Sequence, residues 1–222
     1  MRTTGDTRAR IVTAATELFR RQGYAASGMK QIVAAADAPY GSAYHFFPGG
    51  KAQLGEEVIR TSGAAYLELI ADLFPTSRAA DMATVTGDAF TAAAQTLSEL
   101  DFTDPCPLAT VALEVAGTHE PLRLATAEVF ASWTDGLAAF YRAGGIAEPA
   151  AHETASSVIA LLEGAFMLGR AARSTDPVLA ASRAAVAVVR AAQSGAGTGA
   201  DAGAGAGARS VVGRGSQGGG DQ

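Results

Sequence analysis

Apolar residues along most of this chain return every three or four positions, the spacing of helices with one buried face. From Thr7 to Gln22 the apolar set is Ile11, Ala14, Ala15, Leu18 and Phe19, and Gly23 follows as a stop. Ser27 is placed to cap a second helix, with Lys30 standing where a capping box has Glu. Ile32, Val33 and Ala36 are expected to bury against Leu18 and Phe19. Asp37-Ala38-Pro39 makes a turn, and Pro39, with its φ fixed and no N–H to satisfy, suits the first turn of a third short helix ending at Phe46. Longer helices are predicted over Lys51 to Phe74, Arg78 to Leu100, Pro121 to Ala143, Pro149 to Arg173 and Pro177 to Ala192. A short one is predicted over Leu108 to Ala116, after a Pro-interrupted connection from Asp101 to Pro107, and Gly144-Gly145 stops the Pro121 to Ala143 helix. No segment alternates as a strand does. The pattern predicts an all-α fold.

The last stretch breaks the pattern. Of the 29 residues from Ser194 to Gln222, eleven are Gly, interspersed with Ala and without a period of three. Such a segment buries too little apolar surface to offset its ordering entropy, so a disordered tail is expected over 194–222. Its Gly195-Ala-Gly197-Thr-Gly-Ala200 run nominally fits a dinucleotide-binding pattern, but no strand precedes it and no helix follows. Pro48-Gly-Gly-Lys51 fails as a nucleotide loop, because Ala52 replaces the required hydroxyl residue and His45 the first Gly.

The chain has 222 residues and a net charge of −5, which changes the picture only through its distribution. Residues 1–60 hold eight basic and five acidic side chains, a net +3, and the rest is net −8. Both lysines, Lys30 and Lys51, fall in the first segment. A basic module on an acidic body is the asymmetry of a protein that meets phosphate at one end. Cys106, the one cysteine, excludes an intramolecular disulfide and a multi-thiolate zinc site. No apolar run approaches the roughly 20 residues of a membrane helix, and the N-terminus has no signal-peptide segment. The expected location is the cytoplasm, with no metal and no cofactor.

The short third helix carries the sharpest chemistry. Tyr40, Ser42, Tyr44 and His45 crowd it with polar-tipped side chains that packing alone does not require. Two short helices and a tight turn that present such a helix match the motif that lays its second helix in the DNA major groove. Ala-Pro-Tyr-Gly-Ser-Ala-Tyr-His-Phe-Phe-Pro-Gly-Gly-Lys, residues 38–51, resembles the DNA-binding domain of TetR-family transcriptional regulators, and within them the LmrA/YxaF-like subgroup. The resemblance covers residues 7–60. Two further stretches are subgroup-like, Cys106-Pro-Leu-Ala-Thr-Val-Ala-Leu-Glu114 and Glu163-Gly-Ala-Phe-Met-Leu-Gly-Arg170.

The resemblance implies an N-terminal three-helix helix-turn-helix domain over 1–50 and a helical ligand-binding and dimerisation domain over 51–193. Pro39, Tyr40 and Gly41 then match the base-facing start of the recognition helix, and Ser42, Tyr44 and His45 match positions that mostly grip phosphate. Lys51 matches a phosphate contact, and Ser27 and Lys30 join the DNA-binding set. The chain departs from the family's usual Gly-Val turn with Asp37-Ala38, and has Ala43 where Leu is common. Phe47 is expected in the core.

In the body, Phe90, Cys106, Glu114, Phe130, Trp133, Phe166 and Met167 are the candidate ligand lining, although most aromatics at helical spacing are simply core. Glu114 and Glu163 sit in apolar stretches, and a buried carboxylate needs a partner, either a ligand or one of Arg123, Arg170 and Arg173. Small residues Ala165, Gly169 and Ala172 on one helix, and Ala181, Ala185 and Val188 on the next, mark the dimer interface that the resemblance implies. The function so implied is a homodimeric repressor that binds a palindromic operator and is released by a small apolar or aromatic effector. The alternative is a helical enzyme or small-molecule binder whose basic N-terminal segment is no DNA reader. His119 and His152 lack any HExxH or paired-carboxylate context, and Cys106 lacks a Cys-His signature, which weighs against it.

Overall fold

A computed structural model describes residues 4–74, 81–102 and 106–204. Nine helices occupy the described residues: α1 (Thr4–Gln22), α2 (Met29–Ala35), α3 (Tyr40–Phe46), α4 (Gly50–Leu73), α5 (Met82–Glu99), α6 (Pro107–Val115), α7 (Glu120–Ala143), α8 (Ala150–Ala172) and α9 (Asp176–Ala204). No strand occurs among them. The all-α expectation therefore holds, and most helix ends fall within two or three residues of the predicted ones. The Pro75-Thr-Ser77 stop and Arg78 lie outside the described residues. So does the tail beyond Ala204, whereas α9 runs on through Ser194 to Ala204, where a disordered start was expected.

The ends of the helices follow from local chemistry. Gly23 stops α1 at φ 89°, a conformation a side chain would strain. Asp81 caps α5 by accepting the Thr84 N–H at 3.0 Å. Gly144 and Gly145 close α7, the second at φ 101°. Ser27 is not the cap of α2. Gly28 is, without a side-chain hydrogen bond, and the Ser27 hydroxyl donates instead to the Gly23 carbonyl at 2.7 Å.

Two buried clusters organise the molecule. One joins α5, α8, α9 and the C-terminal half of α7 around Phe90, Leu97, Phe140, Tyr141 and Val178. The other joins α1–α3 to α4, α6 and the first half of α7, through Phe19, Ile32, Phe47, Leu54, Val111 and Leu122. The second cluster runs straight across residue 50, so the three N-terminal helices share a core with the body. Close approach of α4 and α7 depends on Gly63, where an added Cβ would lie 2.4 Å from Val129 Cγ1. There the Trp133 indole N–H donates to the Gly63 carbonyl at 2.9 Å. Contrary to the sequence expectation, α8 is long and apolar enough to cross a membrane by length and composition, and little of its apolar stretch is buried by this chain. It packs on α7 and α9 and carries Glu163.

Candidate nucleic-acid interface

α3 is seven residues long, too short to be stable alone, and its buried side holds it in place. Ala43 and Phe47 have no exposed surface, and full burial of a phenyl side chain contributes about 1.5–3 kcal/mol. The opposite side faces outward. Tyr40 and Tyr44 are 45% and 49% exposed. Their rings meet edge to face at 5.5 Å and their hydroxyls lie 3.3 Å apart. That hydrogen bond raises the Tyr44 phenol above its ordinary value, with the nearby Lys30 charge opposing weakly. His45 is exposed, its ring edge-on to Phe46 at 4.9 Å. Pro39 and Gly41 are exposed, Ser42 is partly so, and a side chain at Gly41 would meet nothing within 4 Å. The predicted recognition surface is thus gathered on one face, with exposed Lys30 beside it.

Two predicted DNA residues are placed differently. Ser27 is fully buried, bonded to Gly23 and to the Gln22 amide at 3.1 Å, and has no side-chain access to DNA. Lys51 is half-buried. Its Nζ donates to the Ala25 carbonyl at 3.2 Å and lies 4.3 Å from the centre of the Tyr24 ring. Burial lowers its pKa, opposed by the Glu114 charge.

Glu114 is partnered by main-chain N–H groups. Its carboxylate accepts the backbone N–H groups of Tyr24 at 3.1 Å and Ala25 at 2.6 Å, in the link between α1 and α2. Gly23 makes room for it, because a Cβ there would sit 2.0 Å from Glu114 Oε1. α6 is thereby fastened to the helix-turn-helix frame. The sequence showed an acid in an apolar helix, but its backbone partners lie some ninety positions away and left no local trace.

The remaining ligand candidates divide between the two clusters. Trp133 and Cys106 are buried in the one that includes α1–α4, with Phe130 packed against it, 5.4 Å from the Trp133 ring. Tyr66, which the sequence reading passed over, stacks on Trp133 at 5.3 Å. Phe90 lies in the other cluster and Phe166 packs on it, whereas Met167 is 58% exposed on the outside of α8. Glu163 is hydrogen-bonded to Cys106, and loss of water pushes its pKa up to about 7, with the Cys106 hydrogen bond opposing. The same burial pushes the Cys106 thiol well up, which is the opposite of an activated nucleophile. Two of the candidate arginine partners are engaged elsewhere: Arg123 pairs with Glu120 and Arg173 with Asp101.

The small-residue stripes also do other work than expected. Ala165, Gly169, Ala181 and Ala185 are buried within the chain, where α8, α9 and α5 meet. An added Cβ at Gly169 would meet the Ser174 carbonyl at 2.9 Å and Leu97 at 3.0 Å. Of the predicted interface residues, Ala172 is exposed and Val188 partly so. Among the described residues, no group of three or more His, Cys, Asp or Glu side chains is gathered to hold a metal.

A short exposed helix after a tight turn, set on a helical body, defines a helix-turn-helix regulator. The chain belongs to the TetR family of bacterial transcriptional regulators. Residues 11–58 match the family's N-terminal model, "Bacterial regulatory proteins, tetR family", and residues 83–184 match "Transcriptional regulator LmrA/YxaF-like, C-terminal domain". The uncharacterized HTH-type transcriptional regulator YxaF of Bacillus subtilis is 33% identical over 183 residues, 81% of this chain and 93% of that one. The HTH-type transcriptional regulator LmrA of the same organism is 33% identical over 79% of this chain and 92% of its own. In fold, the chain resembles a regulatory protein TetR from Rhodobacter sphaeroides, with TM-score 0.74 at 21% identity, covering 82% of this chain and 98% of that one. Escherichia coli NemR in its reduced form gives 0.69 at 20% identity over 81% and 95%. The protein is a DNA-binding transcriptional regulator of the repressor type, and not an enzyme.

Proposed function

We propose that two copies of this chain bind a palindromic operator through paired α3 helices in the bacterial cytoplasm, and that a small apolar or aromatic effector releases them. The observation that carries the reading is the two-sided character of α3 and its C-cap: Ala43 and the capping Phe47 fully buried, Tyr40 and Tyr44 about half exposed. Tyr40 at the helix start is assigned to base edges, and Tyr44, His45 and Lys51 to phosphate. Lys51 would then exchange its Ala25 contact for a phosphate oxygen. The outer side of α8 and α9 is assigned to the second copy, because Met167, Leu168 and Leu179 stand exposed there beside Ala172.

The effector region is assigned to Trp133, Phe130, Cys106, Tyr66 and Glu163. An effector can release DNA only by binding the DNA-incompetent arrangement better, typically by about 1–3 kcal/mol. Movement of α6, which starts beside Cys106 and ends beside Glu114, supplies a route from that region to the link between α1 and α2. Selection from random duplexes tests the DNA reading: a palindrome is expected, and its absence would sink the proposal. Titration of small aromatic compounds followed by fluorescence of Trp133, the only tryptophan, tests the effector. A shift that is equal with and without operator would show a pocket with no switch.

A further inference from the structure

Arg10 lies on α1, outside every residue set so far assigned to DNA, effector or dimer. Its guanidinium closes the helix-turn-helix turn. Nη1 donates to the Asp37 carbonyl at 2.7 Å and also to the Ala36 carbonyl, and Nη2 donates to Thr7 Oγ1 at 3.3 Å. Nε lies 3.6 Å from the Asp6 carboxylate and Nη1 3.9 Å from that of Asp37. The side chain is 26% exposed.

The turn it holds needs holding. α2 ends with the Ala38 N–H on the Val33 carbonyl at 2.9 Å and the Asp37 N–H on the Ala34 carbonyl at 3.1 Å. This double closure requires a left-handed residue between them, a place usually filled by glycine. Here it is Asp37, at φ 48°. A residue with a Cβ pays conformational energy in that region. The Ala36 and Asp37 carbonyls also point out of the helix ladder at the negative end of α2. Arg10 answers both needs from one nitrogen, Nη1, while Nη2 on Thr7 fixes the plane of the guanidinium; a lysine ammonium has no second nitrogen to anchor it in that orientation. Pro39, two residues on, is already the N-cap of α3, so the held carbonyls fix the direction in which α3 leaves the turn.

We propose that Arg10 is a positioning residue for DNA recognition, setting the pose of α3 by holding the turn at Ala36 and Asp37 and not by gripping phosphate. The proposal rests on the reading of α3 as the DNA-contacting helix. Its test uses the full chain and a duplex selected by the wild-type protein.

Arg10→Lys keeps the charge and loses the planar group that Thr7 anchors. It is expected to weaken operator binding at least tenfold, and Arg10→Met to do so without changing the slope of log affinity against log salt. Asp37→Gly added to Arg10→Lys should restore most of the affinity, since glycine takes the left-handed turn unaided. The double variant also covers the case in which Arg10→Lys alone fails to fold. Amide exchange of Asp37 and Ala38 in the free protein should speed up about tenfold in Arg10→Lys, a readout that needs no DNA. Binding of Arg10→Lys within twofold of wild type would overturn the proposal. So would unchanged exchange, or a salt slope reduced by about one in Arg10→Met, the mark of a phosphate contact. Faster exchange with no duplex selected by wild type would overturn the DNA role and leave only the structural clamp.

Discussion

α3 and α8 both leave large side chains in the open, and the chemistry of their tips separates them. On α3 the exposed residues are Tyr40 and Tyr44, whose rings end in hydroxyls. On α8 they are Met167 and Leu168, 58% and 63% exposed, which end in a thioether and methyl groups. A hydroxyl left at a wet, charged surface keeps its hydrogen bonds and exchanges water for phosphate at little loss. Methyl and thioether groups gain only by leaving water, at about 25 cal/mol per Å². The first surface suits a polar, hydrated partner such as duplex DNA, and the second a dry partner such as another copy of itself. Exposure alone therefore does not name a surface.

Replacing an exposed apolar residue by a charge should break the comparison most strongly at α8. Leu168→Asp is expected to weaken self-association at least 100-fold, because a carboxylate would be buried unpaired at the interface. Sedimentation at micromolar concentration checks it, and a dimer that survives would free the outer side of α8 from that role. Gly169→Val makes the contrast. Its Cβ meets Ser174 and Leu97 within the same chain. It should cost about 1–3 kcal/mol of protomer stability, read by urea unfolding at a concentration where the subunits are already apart.

A pH series sharpens the same comparison on the inner side of α8. Glu163 titrates near 7 in the folded protein, against an ordinary value of 4.5. Between those two values the folded chain holds a proton that the unfolded chain has released. Stability is therefore fully present below about pH 4.5 and falls as pH rises through 7, by about 3 kcal/mol at most. Glu163→Gln should remove that decline. Unfolding midpoints from pH 5 to 8 that fall equally in both proteins would assign the pH dependence elsewhere.

How far all this was legible in the sequence divides along similar lines. Helix positions were legible because helical period, Gly23, Pro39 and Gly144 act within a few residues of where they stand. The outward face of α3 was legible for the same reason: seven residues carry both its buried and its exposed sides. The partners of Glu114 and the side to which Ala165, Gly169, Ala181 and Ala185 turn were not. Small residues on two helices show that something approaches closely, but the same pattern serves a partner copy and a neighbouring helix of the same chain. Here it serves α5, α8 and α9. Likewise, a single ligand lining drawn from Phe90, Glu114, Trp133 and Met167 came apart because helical period reports which face is buried and not in which cluster. Arg10 had a usable signal that was missed: Asp37 stands where the left-handed turn calls for glycine, and such a residue needs support from elsewhere.

The Tyr44 hydroxyl should give the smallest effect. In the free protein it bonds to the Tyr40 hydroxyl at 3.3 Å on an exposed face, so Tyr44→Phe should change stability by no more than about 0.5 kcal/mol. On DNA, loss of one hydrogen bond to a charged phosphate is worth about 1.5–3 kcal/mol, or roughly 10- to 150-fold in affinity if the contact is fully formed. Exposure and competing water place the expected loss at the low end, about tenfold. The loss should be uniform across sequences, because phosphate contacts carry no base information. Tyr40→Phe, at the base-facing start of α3, should instead shift the selected sequence while non-specific binding stays the same. If both variants lose affinity uniformly, Tyr40 grips backbone like its neighbour, and base reading must come from other residues at the start of α3.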